Sequence, residues 1–109
     1  MKKIFLMFAA LWLAAPAFAQ QYDVLIRNGA DKVVVNSAVY RDPAIVTRVA
    51  ERFGSQAVVV SVDVRRGEAL GAFTLFSECG RHPEQVTLDE HIARVIAAGA
   101  GEILINSID

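Results

Sequence analysis

Three short apolar runs, each reached through a glycine, constrain this chain more than any other feature. Gly29 precedes Lys32 to Asn36, Gly54 precedes Ala57 to Asp63, and Gly101, with Gly99 behind it, precedes Glu102 to Ser107. The cores of these runs, Val33-Val34-Val35, Val58-Val59-Val60 and Ile103-Leu104-Ile105, are unbroken and mostly β-branched. Parallel strands covered on both faces have that character, whereas a sheet with one wet face alternates apolar and polar residues. A glycine before each run is what a closing helix requires, so the pattern reads helix, glycine, strand. Right-handed crossovers then allow two architectures, a doubly wound sheet or part of a (β/α)8 barrel.

The segments between the runs carry helix signals. Arg41-Asp42-Pro43 opens one helix, with Asp42 expected as N-cap and Pro43 at the first helical position. Ile45, Val46, Val49, Ala50 and Phe53 form its apolar stripe. Thr87-Leu88-Asp89-Glu90 is a capping box, after which Leu88, Ile92, Val95 and Ile96 are expected to face the sheet. Tyr22 to Asn28 resembles the last turns of a further helix. Residues 64–80 are long for a connection, and Phe73-Thr74-Leu75-Phe76 predicts an added strand or hairpin there.

The polarity of the strand ends favours the barrel. On period-two counting Lys32, Val34 and Asn36 share a face, as do Ala57, Val59, Ser61 and Asp63, and Glu102, Leu104 and Asn106. One face of every strand therefore begins or ends in a polar group. A barrel interior has apolar middle layers, and its active site lies at the carboxy-terminal rim, where Asn36, Asp63 and Asn106 would converge. Strand ends are often polar only because loops follow, but three coincident ends point to function.

Ahead of all this stands a different kind of segment. Lys2 and Lys3, an apolar run from Ile4 to Ala15, Pro16, and small residues Ala17 and Ala19 make the three zones of a secretory signal peptide over residues 1–19, a helix cleaved after Ala19. The run is short for a bilayer span, which needs roughly 20 apolar residues. It also explains the 54% hydrophobic share, since 16 of these 19 residues are apolar and about 43 of the remaining 90 are. Residues 20–109 form one domain in which nine basic side chains face twelve acidic ones, which excludes a basic nucleic-acid surface. The only cysteine, Cys79, has no intrachain disulfide partner. Cys79, His82 and His91 lack zinc-ligand spacing, and both histidines are expected to be solvated. A Cys79–His82 nucleophile pair has no orienting group nearby in sequence. Arg65-Arg66 reads as a solvated loop end, and no P-loop or dinucleotide fingerprint is present.

Three blocks carry a family resemblance: Asn28-Gly-Ala-Asp-Lys-Val-Val-Val-Asn-Ser-Ala38, Ala50-Glu-Arg-Phe-Gly-Ser-Gln56 with Val58-Val-Val-Ser-Val-Asp63, and Gly99-Ala-Gly-Glu-Ile-Leu-Ile-Asn-Ser-Ile-Asp109. In this order they resemble the cyclase subunit of imidazole glycerol phosphate synthase, the HisF family, from about Tyr22 to Asp109. The resemblance implies a partial (β/α)8 TIM barrel, about three parallel strands with helices, from the end of the third helix through the sixth strand. The remaining strands are expected to be absent, against roughly 250 residues for a whole barrel.

The same resemblance implies a lyase and cyclase of histidine biosynthesis. Ammonia released by a separate glutaminase subunit would pass through the barrel and attack a phosphorylated ribonucleotide, with no metal or other cofactor. It makes Asp63 the general acid or base, its partner aspartate lying on the missing first strand. Asn36, Ser37, Cys79, Asn106 and Ser107 become substrate- and phosphate-binding residues, with Cys79 in place of a small Ser or Gly and Asn106 in place of Thr. Lys32 and Glu102 become half of a charged gate for ammonia, Asp31 and Gln56 lie at the glutaminase interface, and Asp109 matches the first carboxylate of an Asp-Arg-Asp-Gly stretch. Ile-Asn-Ser-Ile-Asp also resembles the spelling of a paralogous branch associated with amidation of surface-polysaccharide sugars. Two readings stand: a cyclase fragment, or a truncated or fused exported product without activity. The family implies the cytoplasm, while the leader predicts export to the periplasm or secretion. An open barrel fragment is further expected to self-associate.

Overall fold

The computed structural model of the chain describes residues 5–8, 29, 31–69 and 71–109. In chain order the elements are β1 (Phe5–Phe8), β2 (Lys32–Val35), α1 (Ser37–Arg41), α2 (Ala44–Phe53), a 3-10 turn (Ser55–Ala57), β3 (Val58–Arg66), β4 (Phe73–Ser77), β5 (His82–Pro83), α3 (Leu88–Ala98) and β6 (Glu102–Ser107). The three predicted strands are β2, β3 and β6. They pair in parallel around β3, with Val33 opposite Val58 on one side and Val59 opposite Glu102 on the other.

The predicted hairpin is β4, antiparallel to β3 with Asp63 opposite Phe76 and Arg66 opposite Phe73. Because β6 occupies the other side of β3 through Val64, β2 and β4 share one edge of that strand, one below and one above. This explains why β3 runs past Asp63 to Arg66. A second partner becomes available just where β2 stops.

Helices α2 and α3 cover one face. Ile45, Val46 and Val49 of α2 and Val95 of α3 join Val33, Val35, Val58, Val60, Val62, Val64 and Leu75 in the buried core, with Ala50 and Phe53 packed against it. The predicted stripe of α2 is therefore the buried one. Its start differs from expectation. Pro43 is the N-cap, the helix begins at Ala44, and the Asp42 carboxylate pairs with Arg48 instead of capping. The cause is α1, a short helix not foreseen, which ends beside Asp42 and takes the Asp42 N–H onto the Ala38 carbonyl.

Helix α3 has the capping box, with Thr87 and Glu90 exchanging 3.2 Å bonds. Its C-cap Gly99 has φ +116°, and the Ala100 N–H closes back onto the Val95 carbonyl. Its inward face is rotated from the expected one. His91 and Val95 are buried, Leu88 and Ile92 are half-buried, and Ile96 is 57% exposed. A histidine takes the inward place because Tyr40 of α1 offers a flat ring to stack on, at 4.4 Å and 11°.

Gly101 fits the turn before β3 for a steric reason. A Cβ there would stand 2.2 Å from the Ser55 carbonyl oxygen.

The signal helix expected over residues 1–19 is described only at Phe5–Phe8, which is extended and parallel to β2, Phe5 opposite Lys32. The open edge of β2 offers backbone groups that an extended segment can satisfy. The other residues of 1–19, and the helix expected over Tyr22 to Asn28, lie outside the described residues.

Candidate functional site

The polar ends of the three parallel strands meet at one place. Asp63, at the rim of β3, accepts a hydrogen bond from Asn36 Nδ2 at 3.0 Å and another from Asn106 Nδ2 at 3.2 Å, one on each carboxylate oxygen. Register produces this convergence. Asp63 lies directly opposite Asn106, and Asn36 is the residue after the last one of β2. Asn36 is buried, its Nδ2 donates to Asp63, and its Oδ1 has no hydrogen-bond partner among the described residues. The amides fix the orientation of a carboxylate that stays partly open to solvent.

Around this group is a cleft of about 270 Å³ lined by Asn36, Ser37, Ser61, Asp63, Cys79, Leu104 and Asn106. Cys79 reaches it from the turn after β4, where Glu78, Cys79 and Gly80 have φ of 53°, 59° and 81°. Left-handed backbone costs a residue with a Cβ roughly 1–2 kcal/mol, so the turn must be held from outside. The Glu78 N–H donates to Ser37 Oγ at 2.8 Å, and the Glu78 carboxylate pairs with Arg41, so both ends of α1 grip the turn. The Cys79 thiol is exposed.

Five of the expected binding and acid/base residues are thus brought together, and Ser107 is not among them. It alternates to the opposite face of β6 from Asn106, and its hydroxyl donates to Asp109 Oδ2 at 3.0 Å. Asp109 Oδ1 accepts the Arg66 N–H at 2.8 Å, and these two bonds hold the Asp109 carboxyl below the usual carboxylate range.

At the opposite rim Lys32 and Glu102 form an ion pair across the start of β3, Lys32 half-buried and Glu102 exposed. Such pairing compensates the charge of the half-buried Lys32. Asp31 and Gln56 are exposed at that same end.

His91 corrects the sequence reading, being buried where solvation was expected. Neither ring nitrogen, nor the Tyr40 hydroxyl, has a hydrogen-bond partner among the described residues. Burial pushes the His91 pKa down and the Tyr40 pKa up, with the Glu84 carboxylate acting on both. Helical spacing of His91 with Val95 was the available signal. His82 is exposed, as expected, and no group of three or more metal-ligating side chains occurs among the described residues. Arg65 and Arg66, expected as a solvated loop end rather than a phosphate clamp, are exposed but lie within β3, where Arg65 follows Asp63 by one strand period.

Known proteins share the sequence of this segment. A subunit named imidazole glycerol phosphate synthase subunit HisF from Chlorobaculum parvum is 48% identical over 82 residues, 75% of this chain and 32% of its own length. Those of Streptomyces coelicolor and Thermotoga sp. are 46% and 44% identical, over 84% and 78% of this chain. The chain spans about a third of the length of the curated relatives it matches. Residues 19–109 match the family described as histidine biosynthesis protein. With residues 19–109 inside that match, the chain belongs to the histidine biosynthesis protein family.

Proposed function

We propose that residues 20–109 are a segment of a cyclase (β/α)8 barrel. In this reading Asp63 is the general acid or base for ammonia-dependent cyclisation and carbon–nitrogen cleavage of a phosphorylated aminoimidazole carboxamide ribonucleotide. The observation that carries the reading is the single carboxylate oriented by two amides from the ends of its two neighbouring parallel strands. Imine formation, cleavage and ring closure each move a proton, and a carboxylate fixed at the rim is placed to accept and return it. Asn36, Asn106 and the Ser37 hydroxyl orient the substrate, with Cys79 forming the cleft wall. Ammonia would enter from a glutaminase docked at the Asp31 and Gln56 end, past the Lys32–Glu102 pair.

The test completes the barrel with the remaining strands of a relative and compares Asp63→Asn with the unaltered sequence, using ammonium salt as nitrogen source. A kcat lower by roughly 10²- to 10⁴-fold with a much smaller change in KM is expected for loss of one proton-transfer group. Unchanged ammonia-dependent turnover would remove Asp63 from the mechanism.

A further inference from the structure

The polar face of β3 continues beyond Asp63. Strand alternation puts Arg65 on the same face, one period nearer the rim. The register brings Thr74, opposite Arg65, and Phe76, opposite Asp63, onto that face from β4. Arg65 lies over Phe76, its guanidinium carbon 4.6 Å from the ring centroid. The cation therefore sits over the face of the aromatic ring, a contact that leaves the N–H donors of its fork available for hydrogen bonds.

That fork is uncommitted. Arg65 is exposed, and its side chain makes no ion pair with any carboxylate among the described residues, whereas Lys32, Arg41 and Arg48 each make one. Asp109 feels the Arg65 charge, but its hydrogen bonds run to the Arg66 N–H and the Ser107 hydroxyl, and none joins it to the Arg65 side chain. The amides of Asn36 and Asn106 each direct an N–H to Asp63 and none to Arg65.

We propose that Arg65, braced on Phe76, is an anion subsite of the Asp63 cleft that takes the phosphate group of a phosphomonoester. The electrostatics of the face select that class. An anionic group beside Asp63 is repelled, while one at Arg65 meets an open fork that matches two phosphate oxygens. Two strand residues span about 6.7 Å, so a ligand phosphorylated at one end lays its neutral hydroxylated body along the Asp63 amide cluster. The position of the guanidinium rests on the sheet register and the Phe76 contact; the choice of a phosphate ester over other anions rests on the function proposed above.

The experiment titrates the full chain with ribose 5-phosphate and follows the Arg65 Nε–Hε resonance, with ribose and malonate as separate arms. Ribose 5-phosphate is expected to shift that resonance, with affinity falling as salt rises. Arg65→Gln should weaken binding by about 10- to 100-fold, the range for a charge-assisted hydrogen-bonded contact. Arg65→Lys should lose less, because it keeps the charge without the fork, and Phe76→Leu should lose about 2- to 5-fold while the cation stays in place.

The subsite is overturned if the full chain gives no shift, or if Arg65→Gln, shown folded by circular dichroism, binds as the unaltered chain does. Equal affinity for malonate would overturn the phosphate assignment. Failure here is separable from failure of the proposed function. Arg65→Gln with unchanged affinity, beside a completed barrel that Asp63→Asn inactivates, refutes only the subsite. The opposite pair of results refutes only the acid/base role.

Discussion

His91 offers a direct measurement of what burying a titratable ring costs this fold. It is 1% exposed, stacked on Tyr40, and without a hydrogen-bond partner for either nitrogen among the described residues. The charged groups acting on it are Arg94 on its own helix, which opposes protonation, and Glu84 beyond β5, which favours it, while desolvation is the largest influence and lowers the pKa from 6.5. A histidine with a depressed folded pKa stays neutral in the native state while the unfolded chain takes up a proton. Stability is therefore full above the unfolded pKa and falls as pH drops from about 6.5 toward the folded value. The slope is at most about 1.4 kcal/mol per pH unit, so lowering the pH from about 7.5 to about 5.5 should remove up to about 1.4 kcal/mol attributable to this residue. Urea unfolding at both pH values, on the unaltered chain and on His91→Phe, isolates the contribution. Phe keeps a flat ring against Tyr40, cannot titrate, and removes two unsatisfied nitrogens, so it should also be more stable by about 1–3 kcal/mol at neutral pH. Parallel loss of stability in the two proteins between these pH values would refute the argument that His91 is buried neutral.

Two further outcomes follow from other parts of the fold. In a completed barrel, exchanging the charges of the opposite rim (Lys32→Glu with Glu102→Lys) should reduce glutamine-driven turnover more than turnover with ammonium salt; equal losses in the two assays would leave the pair as a packing contact. Gly101→Ala places a methyl 2.2 Å from the Ser55 carbonyl oxygen, and the overpacking should cost about 1–3 kcal/mol in urea unfolding, with a neutral result showing that the turn before β3 yields easily.

The parts of this fold that a reader of the sequence could obtain are those set by periodicity. Unbroken β-branched runs gave β2, β3 and β6, and period-two counting put Asn36, Asp63 and Asn106 on one face, which the register turns into bonded contact. Features set by what happens to lie alongside were not legible. The extension of β3 to Arg66 depends on β4 pairing there. The loss of Asp42 as a cap depends on α1 delivering it to Arg48, and the burial of His91 depends on a tyrosine about fifty positions away in sequence. Ser107 was grouped with Asn106 by resemblance, yet adjacent strand residues point to opposite faces, so only one of them could line the cleft.

The two amide contacts to Asp63 also order events in time. Asn36 is separated from it by 27 residues and Asn106 by 43, while β4 closes onto β3 through a much shorter connection. During synthesis from the amino terminus the β3–β4 hairpin and the β2–β3 crossover can both form before Asn106 exists, leaving the carboxylate with one oxygen held and one free. The second amide arrives only with β6. Partial opening that begins at β6 releases that amide first, so the orientation of Asp63 reports whether the crossover through α3 to β6 has docked, and amide exchange along β6 should run ahead of exchange at Val33 to Val35.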